Sequence, residues 1–131
     1  MYLAHISDDK LREQTIREHL EGVAKLSAEF AASFDSEEWG YGCGLIHDIG
    51  KYSAEFQKRL HGGAKVDHAT AGAQELYRNK NIMQAYCVAG HHSGLPDGGS
   101  PGEPATFYGR MKKELKDYQA FKEEIEIPAF P

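Results

Sequence analysis

Five histidines and one aspartate have types and spacing typical of a metal centre. They fall into four groups along the chain: His19, His47-Asp48, His68 and His91-His92. Imidazole-rich sets with few carboxylates suit transition metals such as Mn, Fe, Co, Ni or Zn better than Mg or Ca. A lone carboxylate among imidazoles is naturally the bridging ligand of a two-metal site. Two metal ions about 3.5–4 Å apart can activate water for phosphoester hydrolysis.

The segment Leu45-Ile46-His47-Asp48-Ile49-Gly50-Lys51 places an imidazole and a carboxylate between apolar residues. A buried carboxylate is costly unless it is paired or bound to a metal. Neighbouring helical residues point about 100° apart, so His47 and Asp48 can line two sides of one cavity. Gly50 is a candidate for a left-handed helix cap. Lys51 either reaches back over the cavity or is solvated at a helix end.

His19 belongs to an amphipathic helix predicted from about residue 11 to residue 34, with Ser7-Asp8-Asp9 as its start signal. It lies three residues after Ile16 and four before Val23, so it shares their inward face. A core histidine bonded to a backbone carbonyl is the alternative to a ligand here.

The other histidines are expected at two helix boundaries. Asp67 is predicted to cap a helix that opens with His68, where an exposed first-turn histidine is the alternative to a ligand. A buried helix is predicted from residue 82 to residue 90, followed by His91-His92. Two adjacent histidines would need two buried partners, which favours a ligand role over packing.

The remaining pattern predicts an all-α protein without a convincing strand. Asp35-Ser36 reads as a helix N-cap, and the glycines within residues 40–44 indicate close helix approach, since glycine costs helix stability. Ser53 is expected to cap a short helix. Glycines and prolines predict a loop over residues 93–106.

A final amphipathic helix is predicted from Phe107 to Ile125. Its other face is basic, and a solvated face is the favoured interpretation of its cations: Arg110, Lys112, Lys113, Lys116 and Lys122.

Length and composition predict one globular domain over residues 1–131. The net charge of −5 argues against a broad nucleic-acid or membrane surface, so positive charge for a phosphodiester must be local. Cys43 and Cys87 lie in apolar runs without paired spacing, and we expect reduced, buried thiols of a cytoplasmic protein. No signal peptide and no membrane span are predicted.

Four segments resemble motifs of the HD superfamily of metal-dependent phosphohydrolases: Arg17-Glu18-His19-Leu20, residues 44–51, residues 67–73 and residues 89–96. The chain looks closest to the HD nuclease of type I CRISPR systems, found alone or fused ahead of a helicase. The resemblance covers nearly the whole chain and implies a helical fold with the metal site between helices. It also implies degradation of single-stranded DNA exposed by an RNA-guided surveillance complex, with the helicase in cis or in trans.

The resemblance also implies residue roles. One metal ion would be held by His19, His47 and Asp48. The second would be held by Asp48, His68, His91 and His92. Asp48 and Lys51 would be catalytic, and Lys51 and Ser93 would bind the substrate.

One departure and two alternatives stand beside this interpretation. The family completes the first metal with a late aspartate, whereas only Asp97 and Asp117 follow the double histidine, neither in the expected setting. We therefore expect a domain truncated at its C-terminal end. Residues 91–98 weakly resemble the HD-GYP branch of the superfamily. The first alternative is therefore a phosphodiesterase that hydrolyses cyclic dinucleotides or nucleotides. The other alternative is a non-catalytic metal-bearing domain that docks on a partner complex.

Overall fold

The computed structural model describes residues 1–131 and is predominantly helical, which confirms the all-α class. Its α-helices are α1 (Ile16–Ala31), α2 (Glu37–Ile46), α3 (Ala54–Leu60), α4 (Ala71–Arg78), α5 (Ile82–Ala89) and α6 (Phe107–Met111). Short 3₁₀ helices cover Ala32–Phe34, Ile49–Tyr52 and Gln119–Glu123. None of the helices combines the length and apolar character that crossing a bilayer requires.

A two-stranded antiparallel hairpin precedes the helices, so the expectation of no strand is wrong. Strand β1 (Leu3–Ile6) pairs with β2 (Glu13–Thr15). The segment Ser7-Asp8-Asp9 forms the turn between them, where the Ser7 hydroxyl donates to Asp9. Helix α1 therefore begins later than predicted. Thr15 and Glu18 form a reciprocal capping box at its start.

Helices α1 and α2 pack with their backbones in direct contact. A Cβ atom added at Gly44 would lie 2.8 Å from the Cα of Ala24, and one at Gly40 would lie 2.9 Å from the Ser27 carbonyl carbon. These glycines therefore permit the close approach that their sequence pattern predicts. The contact sets the first turn of α1, which carries His19, beside the C-terminal end of α2.

Residues from all parts of the chain form one hydrophobic core. Its most deeply buried large side chains include Ile16, Leu20, Ile46, Ile49, Tyr52, Leu76, Phe107 and Phe121. The core lies directly beneath the segment after α2, so the carboxylate that follows that helix is carried on a rigid, buried support.

The segments before α4 and after α2 differ from the predicted helix ends. The Asp67 carboxylate accepts from the backbone N–H groups of Ala69 and Thr70, and this turn delays the start of α4 to Ala71. His68 therefore lies before the helix. Gly50 has no left-handed backbone and belongs to a 3₁₀ helix, so its predicted cap role is wrong.

The predicted last helix is only five residues long. Helix α6 ends at Met111, and the Gln74 side-chain amide donates to the carbonyls of Arg110 and Lys113 at 2.9 and 2.8 Å. Those carbonyls are thereby satisfied by a tertiary contact in place of further helix turns. Phe121, which follows the shortened helix, is nevertheless buried in the core.

The residues after position 126 fold back on α2. The Trp39 indole donates to the carbonyl of Pro131 at 3.2 Å, and the Phe130 ring packs edge-on against the indole, with centroids 6.3 Å apart.

Both cysteines are free, but Cys87 is exposed and Cys43 only partly buried, which corrects the expectation of two buried thiols.

Candidate metal centre

Four separate segments bring all the predicted ligand residues to one place, around the Asp48 carboxylate. His19 comes from the first turn of α1, and His47 and Asp48 follow the last turn of α2. The turn before α4 contributes His68, and the turn after α5 contributes the double histidine. The imidazole Nε2 atoms lie at these distances from Asp48: His19 2.9 Å, His47 3.2 Å, His91 3.1 Å and His68 3.9 Å.

Asp48 is 4% exposed, and its two oxygens face different histidines. Oδ2 faces His19 and His47, whereas Oδ1 faces His68 and His91. Burial alone would raise the pKa of Asp48, but its contacts with His19, His47 and His91 hold that pKa far below its ordinary value. The carboxylate is therefore ionised and can bridge two positions.

Backbone carbonyls fix which nitrogen two of the imidazoles present to Asp48. Nδ1 of His47 lies 2.6 Å from the Gly44 carbonyl oxygen, and Nδ1 of His91 lies 2.6 Å from that of Val88. Because a carbonyl only accepts, each Nδ1 carries the proton. In the neutral rings Nε2 then presents a lone pair to the carboxylate.

Two acceptors at this range repel each other unless a proton or a cation lies between them. Two ligands held about 2.1 Å from one ion are about 3.0–3.4 Å apart at octahedral to tetrahedral angles. Asp48 lies 3.2 Å from His47 and 3.1 Å from His91. Each of these distances is therefore the one expected for two ligands of the same metal ion.

The ligand atoms form two groups that share Asp48. One group contains His19, His47 and Asp48, and the other contains Asp48, His68 and His92; within each group all ligand atoms lie within 4.8 Å of one another. The cluster can therefore hold a metal ion between the helices. His91 belongs to neither group, and its role as a ligand of the second metal is still a prediction.

The family model of the HD domain matches residues 16–124, which span α1 to the last 3₁₀ helix. The chain belongs to the HD domain family. HD domains bind divalent metal ions and are, as a class, metal-dependent phosphohydrolases. Among curated proteins, none matches the chain.

Lys51 lies in the wall of this HD domain's site, only 5% exposed, and does not reach over it from solvent. Its ammonium is 3.6 Å from Asp48 Oδ2, donates to the Ala4 carbonyl at 3.5 Å and lies 5.2 Å from the centre of the Phe56 ring. Burial lowers the pKa of Lys51, while the Asp48 charge opposes that shift. Its contacts therefore hold the Lys51 amino group in place beside the bridging carboxylate.

Ser93 is exposed in the turn after the double histidine, and its hydroxyl makes no hydrogen bond within the chain. Its substrate-binding role is still a prediction. The two late aspartates, Asp97 and Asp117, join neither ligand group of the HD domain. Asp117 instead accepts from the backbone N–H of Gln119.

His5 is not among the predicted ligand residues, but strand β1 brings it to the edge of the site. The His5 ring packs edge-on against His19 with centroids 5.0 Å apart. Burial, followed by the charge of Lys51, lowers the pKa of His5. The neighbouring Ala4 carbonyl is the one that holds Lys51. Only the hairpin reveals this placement, because a four-residue strand gives almost no periodic signal.

Proposed function

We propose that this HD domain is a metal-dependent nuclease of type I CRISPR interference, an antiviral defence. Its substrate would be single-stranded DNA exposed by an RNA-guided surveillance complex in the cytoplasm, with a helicase supplied in cis or in trans. The observation that carries the hydrolytic part is the buried, ionised Asp48 with its two oxygens turned toward separate histidine groups.

Divalent ions bound at the two groups would activate a water molecule and neutralise charge on the phosphodiester. The chain's own residues then have separable roles. His19 and His47 hold one position, His68 and His92 hold the other, and Asp48 joins them. The Lys51 ammonium would add positive charge 3.6 Å from Asp48, which favours a phosphate oxygen beside the bridging carboxylate.

The choice of single-stranded DNA rests on the segments that resemble CRISPR-associated HD nucleases. All four of them, residues 17–20, 44–51, 67–73 and 89–96, meet around Asp48. His92 and Ser93 are exposed at the rim, beside the Gly- and Pro-rich segment 93–106. An extended strand can therefore approach the ligand groups from this side.

Incubation of the protein with Mn²⁺ or Ni²⁺ and three substrates tests the proposal: single-stranded DNA, duplex DNA and a cyclic dinucleotide. We expect cleavage of single-stranded DNA, abolished by Asp48→Asn and unaffected by Asp97→Asn. Asp97 is an exposed carboxylate outside both groups, so it controls for the change of charge. Cleavage of the cyclic dinucleotide alone would assign the phosphodiesterase activity instead. Metal binding without hydrolysis of any substrate would assign a docking role.

A further inference from the structure

Arg110 joins two segments that carry candidate ligands. Its Nη1 donates to the Ala89 carbonyl at 2.7 Å, two residues before His91. Its Nε and Nη2 donate to the Thr70 hydroxyl at 3.2 and 2.8 Å, two residues after His68. The interpretation of Arg110 as part of a solvated basic face is therefore wrong.

The Thr70 hydroxyl is completely buried and extends this contact to Asp67. It accepts from Arg110 and donates to Asp67 Oδ2 at 2.8 Å. Lys113 donates to the same oxygen at 2.8 Å. The turn that contains His68 is thus held by hydrogen bonds at both ends. At one end Asp67 accepts from the backbone of Ala69, and at the other Thr70 accepts from Arg110 of α6.

Few other hydrogen bonds link these segments. Apart from the close pair of Nε2 atoms of His68 and His92, Arg110 is the only group that hydrogen-bonds to both residues 67–70 and residues 88–93. Its side chain hydrogen-bonds to neither His19 nor His47. Any effect of Arg110 on metal binding should therefore fall on one ligand group.

We propose that Arg110 and Thr70 are positioning residues that hold His68 and His92 at the separation needed for a metal ion at the Asp48–His68–His92 group. The inference rests on the metal site of the proposed function. A guanidinium has donors in a rigid planar fork, so it can bind the two acceptors at once, whereas a lysine ammonium cannot reproduce that geometry. Residues that orient metal ligands in this way typically change metal affinity about 10–100-fold when replaced.

The test isolates each ligand group before changing the positioning residues. In a His19→Asn background the Asp48–His68–His92 group is intact, and in a His92→Asn background the His19–His47–Asp48 group is intact. Co²⁺ alone is titrated into each protein, with residues 1–131 all present, by calorimetry and by visible absorption. Thr70→Val removes the hydroxyl at nearly constant volume, Thr70→Ser keeps it, and Arg110→Lys keeps the charge.

In the His19→Asn background we expect Thr70→Val and Arg110→Lys each to weaken Co²⁺ binding about 10–100-fold, with Thr70→Ser near the parent. In the His92→Asn background neither change should matter. Lys112→Ala, an exposed neighbour on the same segment, controls for local disturbance. Should Thr70→Val fail to fold, the comparison of Arg110→Lys with Lys112→Ala decides the question.

Equal Co²⁺ affinities in the variants and their parent would overturn the positioning role while leaving the metal site intact. Equal losses in both backgrounds would also overturn it, because a general structural effect does not choose between ligand groups. Absence of Co²⁺ binding in the unmodified protein would instead overturn the proposed function itself, together with this inference.

Discussion

The Nε2 atoms of His68 and His92 lie 3.2 Å apart, although the residues are 24 positions apart in sequence. Burial lowers the pKa of both side chains, so the neutral rings are favoured near pH 7. One turn lies before α4 and the other follows α5, so the pair forms only in the folded chain. A nitrogen–nitrogen distance of this size suits two ligands of one metal ion.

His92→Asn should abolish metal binding at the Asp48–His68–His92 group and lower hydrolysis at least about 100-fold. Asparagine keeps polarity and much of the volume but binds these metals less well. The metal-free variant should melt close to the metal-free parent, as measured by calorimetry, with His61→Asn as an exposed histidine control. An insoluble variant that still retains its metal would show that His92 is a packing residue.

Removal of metal should lower the melting temperature. Without a cation, the Nε2 atoms of His47 and His91 lie 3.2 and 3.1 Å from the buried Asp48 carboxylate with no metal ion to bind them together. A ligand at about 100 times its dissociation constant stabilises by about 2.7 kcal/mol, so a chelator should lower the melting temperature by roughly 10 °C. Differential scanning calorimetry with and without chelator measures this. Asp48→Asn should show no such difference, and an equal difference in that variant would exclude Asp48 as a ligand.

Gly50→Ala and Gly22→Ala should have opposite effects. A Cβ atom at Gly50 would lie 2.8 Å from the Cα of His68, whereas one at Gly22 meets nothing within 4 Å. We expect Gly50→Ala to cost about 1–3 kcal/mol and weaken metal binding. Gly22→Ala, within α1, should add about 0.5–1 kcal/mol. Urea unfolding of the two variants gives both values, and a neutral Gly50→Ala would mean that the His68 turn can move freely.

The two free thiols should differ in reactivity. Burial raises the pKa of the Cys43 thiol from 9.0 to about 12, whereas Cys87 is exposed. At equal pH the Cys43 thiolate is therefore about 1,000-fold scarcer than that of an ordinary thiol. Iodoacetamide at pH 8, followed by mass spectrometry of the peptides, should label Cys87 only. Equal labelling would show that α2 and α5 separate readily.

Part of the candidate site could be found from sequence because some of its residues break a local pattern. His47 and Asp48 interrupt an apolar run, and His91-His92 follow a buried helix. The two groups of ligand atoms within 4.8 Å also depend on the packing of α1 on α2, which the glycines of α2 indicate only in part.

The errors arise where one sequence signal serves two structures. Ser7-Asp8-Asp9 is as suitable for a hairpin turn as for a helix start, and here Lys10 adopts φ 61° to close the turn. Likewise, the apolar spacing after Phe107 is helical, but the Gln74 side-chain amide donates hydrogen bonds to the carbonyls of Arg110 and Lys113. A longer helix would use those carbonyls for its own hydrogen bonds. Such tertiary hydrogen bonds cannot be predicted from the local spacing of apolar residues.

Tryptophan fluorescence can detect changes at helix α2, because the helix contains Trp39. Trp39 is the only tryptophan and lies near the start of that helix, against Phe130 and Pro131, while the ligand His47 follows the helix's other end. Eight residues of helix separate the two by about 12 Å along the axis. The fluorescence of Trp39 therefore reports whether residues 130 and 131 remain packed on α2. A change in this fluorescence during a metal titration would show that metal binding near His47 alters the other end of the helix.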